Sequence, residues 1–226
     1  MGPTNKVNVA LLSDEEIPTC FEVLSKSFGN DAPFVGAYFP HHDTPAGRAQ
    51  GSRRLLEWKR APDDSTFLKA VTRGSQAEQE HIVGFAVWTY MKEAPPAKLD
   101  ETENVEEVWP NEDDREFMAR LWRDYVIPRS QAVVDSDGKG VFVLELLAIH
   151  PDFQRLGAGT ALVKWGTKVA DERGVKAVVE GTPAARRLYE QCGFRAKIEE
   201  MRFDVGEEFS GRRKPTLTFM VRDAES

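Results

Sequence analysis

The sequence predicts an α/β domain in which strands alternate with amphipathic helices. Three observations carry that reading. Two β-branched, apolar runs, TFLKAVTR (66–73) and HIVGFAVWTY (81–90), are joined by the polar GSQAEQE and read as a hairpin. The long apolar run VFVLELLAI (141–149) is followed by a helix-patterned segment and the short apolar KAVVE (176–180), a strand–helix–strand unit. The length of 226 residues, 41% hydrophobic and 30% charged, fits one soluble globular domain, residues 1–226, carrying an insertion.

Taken in order, KVNVALL (6–12) is a first strand. Ser13 with Glu16 three residues on is a capping box, and Ile17, Cys20, Phe21 and Leu24 recur at helical spacing to about Phe28. GNDAPF breaks that helix, and FPHHDTPAG (39–47) is a loop by its prolines and glycine. A helix from about Ala46 to Arg60 precedes the hairpin. Gly84 inside the second hairpin strand points to a bulge or a close backbone approach.

Residues 92–140 read as the insertion, between the third and fourth strands. Its first part is polar and Pro-rich. Asn111 is then a good N-cap, and Glu112, Asp113 and Asp114 suit the positive end of a helix. Phe117, Leu121, Trp122, Tyr125 and Val126 form one apolar stripe, which Pro128 is expected to interrupt. After the 141–149 strand, a helix runs from about Ala158 to Arg173 and ends at Gly174, a good residue to follow a helix. PAARRLYEQ (183–191) is a short helix with proline in its first turn. CGF leads into RAKIEEMRFDV (195–205), and TLTFMVR (216–222) is the last strand.

Composition excludes several classes. A net charge of −7 argues against nucleic acid or a membrane surface as partner, since both are anionic. Cys20 and Cys192 form neither a disulfide framework nor a metal-type spacing, so no metal is expected. The first residues lack a signal-peptide apolar region, Lys6 breaks the myristoylation pattern that Gly2 would begin, and no apolar run is long enough to span a bilayer. The expected location is cytoplasmic, and the expected assembly a monomer or homodimer.

The segment HPDFQRLGAGTALV (150–163) places Gly157 and Gly159 where a helix begins. Glycine costs about 0.5–1 kcal/mol inside a helix, so something must approach the backbone closely or the chain must turn sharply. A phosphate-cradling P-loop lacks its G-x-x-x-x-G-K-[ST]. A dinucleotide fingerprint finds G-x-G and Glu180 at a suitable distance, but Leu162 stands at the third glycine and too little chain follows for a second half-sheet. The third reading is a pyrophosphate turn, in which unpaired N–H groups at a helix N-terminus face an anion.

That last reading carries a resemblance. LELLAIHPDFQRLGAGTALVKWG followed by ARRLYEQCGF resembles the GNAT superfamily of acyl-CoA-dependent N-acyltransferases, whose coenzyme A motif Q/R-x-x-G-x-G/A is met by Gln154, Gly157 and Gly159. Leu156 stands where arginine or glycine is frequent, and Glu180-Gly181-Thr182 replaces an asparagine often found after the fifth strand. The resemblance implies a mixed, mostly antiparallel central sheet of about six to seven strands flanked by helices, with the α-helical insertion between strands 3 and 4. It implies acetyl-CoA as cosubstrate, held by Leu147, Ala148 and Ile149 along the fourth strand and by Gln154, Arg155, Leu156, Gly157, Ala158, Gly159 and Thr160 at the turn. The Leu147 amide would polarise the thioester carbonyl, and Tyr189 would be general acid toward the departing thiolate.

The base is read from the residues themselves. Glu145 interrupts an apolar strand two residues before Leu147, which in a regular strand means the same face. It could take the amine proton directly or through water, hold a cationic acceptor, or pair with an arginine. Glu180 is the second candidate, and His150 fits a turn residue better than a catalytic one. Trp88, Trp122 and Tyr125 are candidates for the wall of an acceptor pocket, with core packing as the alternative. Nine acids against one arginine lie between Asp100 and Glu116, either a solvated face or a device that steers a cationic acceptor. The function read from all this is acetyl transfer to the amine of a small molecule with an apolar body. Acetylation of protein amino groups and a non-catalytic acyl-CoA-binding module are the alternatives.

Overall fold

The apolar runs pair into one sheet. Strands β1 (Asn8–Leu11), β2 (Ser65–Arg73), β3 (Glu80–Met91), β4 (Val141–Ile149), β5 (Lys176–Gly181), β6 (Arg195–Ile198) and β7 (Thr218–Arg222) lie in the order β1-β2-β3-β4-β5-β7-β6. The structure is a computed structural model that describes residues 7–62, 64–73, 80–102 and 104–225. The central pair β4–β5 is parallel and its neighbours are antiparallel, as the resemblance implied. The hairpin link read at 74–79 lies outside the described residues, but its strands pair as expected from Ser65↔Thr89 to Arg73↔Glu80.

Among the described residues seven helices accompany the sheet: α1 (Ile17–Phe28), α2 (Pro33–Tyr38), α3 (Pro45–Arg60), α4 (Val105–Val108), α5 (Glu112–Val134), α6 (Ala158–Arg173) and α7 (Arg186–Gln191). Strand alternation sends residues to two faces. Ala86, Trp88, Phe142 and Leu144 pack under α6 with Leu162, Val163 and Ala170. Phe85 and Val87 pack under α1 and α3 with Phe21, Leu24 and Leu55, while Val141, Val143 and Val178 pack under α5 with Met118, Leu121 and Tyr125. No helix among the described residues is long and apolar enough to cross a membrane.

Local signals set the helix ends. Ser13 and Glu16 form the capping box, with the Ser13 N–H donating to Glu16 Oε2 at 2.9 Å, although a short 3₁₀ turn precedes α1. Asn111 accepts from the Asp114 N–H at 3.0 Å and caps α5. Gly174 closes α6 in the left-handed conformation, φ 65°.

One expectation needs correction, and three readings gain detail. Pro128 does not interrupt α5, which continues to Val134 with Pro128 buried inside it. One missing N–H costs the helix less than unpacking its apolar stripe would. GNDAPF ends α1 at Phe28 as expected, and Pro33 within it then starts the six-residue α2. Beyond Ile198 the RAKIEEMRFDV segment leaves the sheet, while Met201, Phe203 and Val205 still bury alternately against α5. Of its two readings, core packing is the one Trp88 shows. It stacks on Phe142 at 5.0 Å, its indole N–H reaches the Leu162 carbonyl at 3.3 Å, and a Cβ on Gly166 would stand 2.0 Å from its ring. Gly166 is therefore the small residue that lets α6 lie on Trp88.

Candidate active site

The site begins where β4 and β5 part. Their shared ladder runs from Val141↔Lys176 to Leu144↔Val179 and stops. On the other side, β4 stays paired with β3 to Gly84↔Ile149, with one extra residue at Glu145 between the Trp88↔Leu144 and Val87↔Leu146 pairs. A bulge of this kind re-aims the side chains after it. The alternation therefore shifts: Glu145 faces α5 and Leu146 packs with the α1 cluster, whereas Leu147 packs on the α6 side. The shared face expected for Glu145 and Leu147 is lost to that extra residue.

The parting leaves a free backbone edge. The His150 N–H donates to the Val83 carbonyl at 2.9 Å, so the Ile149 peptide groups point the other way, into the gap beside β5. By the same alternation the Leu147 N–H points there too. The Ile149 carbonyl accepts from Gln154 Nε2 at 3.3 Å, which ties the following loop to the strand end.

That loop is built from sharp backbone turns. His150 caps a short turn by accepting from the Asp152 N–H at 3.3 Å, as a turn residue does. Arg155 and Gly157 both have positive φ, 65° and 91°. Such a conformation is strained for arginine and easy for glycine, and it gathers N–H groups on one side. The first bond of α6 is made by the Ala161 N–H to the Gly157 carbonyl, so the N–H groups of Ala158, Gly159 and Thr160 have no intrahelical partner. A Cβ at Gly159 would lie 3.1 Å from Leu188 Cδ2 of α7, so this turn sits close against the short helix.

A cavity of about 1400 Å³ joins the turn to the far side of the sheet. Gln154, Arg155, Gly157, Gly159 and Thr160 line one end, and Leu147, Ile149 and Tyr189 its middle. Ala148 and Ala158 bury their side chains in the core, and Leu156 exposes its own, 54%, outside the cavity. Those three residues can take part only through their backbone or at the rim. Tyr189 is 5% exposed; its ring lies on Gly181, where a Cβ would stand 2.7 Å from it, and edge-on to Phe194 at 5.9 Å. Burial, with Cys192 and Glu180 adding to it, holds the Tyr189 hydroxyl well above the ordinary tyrosine range, so it stays protonated and able to donate.

The far end is aromatic and charged. Phe34 and Tyr38 of α2 and Trp122 and Tyr125 of α5 close a ring of contacts: 6.1 Å for Phe34–Tyr38, 6.0 Å for Tyr38–Trp122, 6.1 Å for Trp122–Tyr125 and 4.2 Å for Phe34–Tyr125. All four line the cavity, as do Glu145, Glu180 and Arg129. Arg129 Nη1 donates to Glu145 Oε2 at 2.7 Å, and its Nε and Nη2 donate to the two oxygens of Glu180 at 3.0 and 2.6 Å. The arginine pairing read as one possibility for Glu145 is thus present. None of the described acids of the 100–116 stretch lines the cavity, and Asp114 and Glu116 pair with Arg212 and Arg120.

Sequence reasoning missed Arg129, Phe34 and Tyr38. Arg129 had a signal, since it continues the 117–121–125 spacing of the apolar stripe and must therefore point inward. Phe34 and Tyr38 sit four apart on a helix too short to show a period.

An open parallel fork, a turn of unpaired amides and a passage between them stand together along one cavity. A profile of the acetyltransferase (GNAT) family matches residues 35–194, and the chain belongs to that family. No curated protein matches the sequence. Among solved structures, arylalkylamine N-acetyltransferase 2 from Aedes aegypti is similar over 98% of this chain and 100% of its own, with 17% identity and a TM-score of 0.63. A mosquito arylalkylamine N-acetyltransferase-like 5b is similar over 96% and 100%, with 12% identity and a TM-score of 0.63. A histone acetyltransferase HPA2 and related acetyltransferase from Corynebacterium glutamicum is similar over 97% and 98%, with 20% identity and a TM-score of 0.60. At these identities the likeness is one of fold.

Proposed function

We propose that this protein transfers the acetyl group of acetyl-CoA to the amine of a small molecule with an apolar body. The observation that carries the reading is the single cavity running from the amide-rich turn, past Tyr189, to the ring of Phe34, Tyr38, Trp122 and Tyr125. The turn fits a pyrophosphate, because the amides of Ala158, Gly159 and Thr160 are unpaired and Gly159 keeps the space beside them clear. The free edge of β4 fits the pantetheine arm, with Leu147 and Ile149 presenting backbone groups. Both cysteines are buried free thiols, which suits the reducing cytoplasm.

Acetyl-CoA supplies an activated acyl group as a thioester. The protein then has three tasks. The Leu147 N–H donates toward the carbonyl oxygen, where negative charge develops. Glu145, at the bulge, takes the amine proton directly or through water as the new C–N bond forms. Tyr189 donates toward the sulfur as the C–S bond breaks.

The aromatic ring favours hydrophobic amines over polyanionic acceptors, in keeping with the arylalkylamine enzymes of like fold. The exposed acids of residues 100–116 can steer a cation only at long range, and exposed charges are screened beyond about 8 Å at physiological ionic strength. Hydrophobic amines, polyamines and anionic amino sugars, each assayed at low and high salt, separate the possibilities. Hydrophobic amines should be used best, with kcat/KM falling as salt rises. A clear preference for anionic acceptors would refute the pocket. Salt-independent use of apolar amines would keep the aromatic wall and remove the steering, and preference for peptide amines would point to protein acetylation.

A further inference from the structure

The last rung shared by β4 and β5 joins Leu144 to Val179, and the next residue on each strand is a glutamate, Glu145 and Glu180. Two carboxylates therefore meet at the fork where the strands separate. One guanidinium spans both. Arg129 forks onto Glu180 with two bonds, gives one to Glu145, donates to the Tyr125 hydroxyl at 2.8 Å and lies over the Tyr125 ring at 4.6 Å. The side chains of Arg129 and Glu180 are 2% and 0% exposed, while that of Glu145 keeps 12%. Both glutamates line the cavity, and of the two Glu145 keeps the more exposed side chain.

We propose that Arg129 is a positioning residue: it clasps the fork and keeps the Glu145 carboxylate in place and ionised at the acceptor end of the cavity. The inference rests on the acetyl-transfer reading above, in which Glu145 serves the amine. The insertion helix α5 is then part of the active site rather than a cover over it. Two carboxylates in one buried site do not both stay ionised without a cation between them. With Arg129 present, Glu180 takes the stronger, two-bonded share and Glu145 the remainder. Removing the charge of Glu180 leaves the whole cation to Glu145, and removing Arg129 leaves two carboxylates to compete for a proton. The other titratable groups around the fork are Tyr125 of α5, Tyr38 of α2, and Tyr189 and Cys192 of α7. Burial pushes Tyr125, Tyr189 and Cys192 upward, so those three remain neutral across the acidic limb.

The test is the pH profile of kcat/KM for one hydrophobic amine in the parent enzyme, Arg129→Gln, Glu180→Gln and the double variant. A single acceptor keeps its own ionisation common to all four. Arg129→Gln should move the acidic limb up by about one pH unit or more, the size of a carboxylate–carboxylate effect at close range. Glu180→Gln should move it down, and the double variant should lie between the two single ones. Stabilisation by coenzyme A should be unchanged in each. A purely structural Arg129 would lower thermal stability and leave the limb in place. An unmoved limb in Glu180→Gln overturns the proposal even if Arg129→Gln fails to fold. Absence of thiol release from the parent at every pH would instead defeat the acetyl-transfer reading itself.

Discussion

Replacing Tyr189 by phenylalanine should lower turnover by about 10²–10⁴-fold, the range of a positioned acid or base, with little change in coenzyme A affinity. The substitution keeps the ring, and the ring holds the position: it rests on Gly181 and meets Phe194 edge-on. What is lost is the single O–H of a residue that lines the cavity. Because burial weakens this hydroxyl as an acid, it carries its proton throughout the working pH range. On the proposed reading its contribution is a hydrogen bond to the departing sulfur that strengthens as charge appears there. Single-turnover rates are the proper measurement, since product release can mask a chemical step. Unaltered single-turnover rates would assign Tyr189 to packing.

The second large effect concerns Gly159. With coenzyme A at 100 times its Kd, ligand linkage should stabilise the parent by about 2.7 kcal/mol. For a domain of this size that is a rise of roughly 5–11 °C in Tm. Gly159→Leu should abolish the rise while leaving the unliganded protein folded. The new Cβ starts 3.1 Å from the flexible end of Leu188, which can give way, but the side chain then fills the space beside the unpaired amides of α6. A full thermal shift in this variant would show that the turn does not hold the pyrophosphate.

Much of the fold was legible because its signals are local. The ends of α6 were readable from glycines that adopt positive φ in the structure, Gly157 at 91° and Gly174 at 65°. Ser13 and Asn111 marked helix starts through hydrogen bonds that span three residues. What local signals missed or left open was decided at a distance. Pro128 breaks an isolated helix, yet the stripe of α5 packs against β4 and β5 and carries it through. Trp88 belongs to the core because Gly166, nearly eighty residues later, leaves room for its ring.

The site divides in the same way. The amide-rich turn is one contiguous segment, so Gln154, Gly157 and Gly159 could be read as a motif. The acceptor end is assembled from α2, α5, β4 and β5, and no single stretch announces it. Glu145 was visible as a charge in an apolar strand, but the bulge that turns it toward α5 is a property of its pairing with β3. Arg129 was hidden by the habit of assigning helix charges to solvent, although its spacing placed it on the buried stripe.

The central claim is that the amide-rich turn and the aromatic chamber serve one transfer reaction. It is tested most directly by incubating the purified protein with acetyl-CoA and a hydrophobic amine, and measuring free thiol and N-acetylated amine in the same sample. The account predicts that the two appear mole for mole, well above the uncatalysed rate, and that both fall together in Tyr189→Phe. Thermal stabilisation by coenzyme A with no thiol release for any amine would contradict it, and would make the chain an acyl-CoA-binding module that does not turn over.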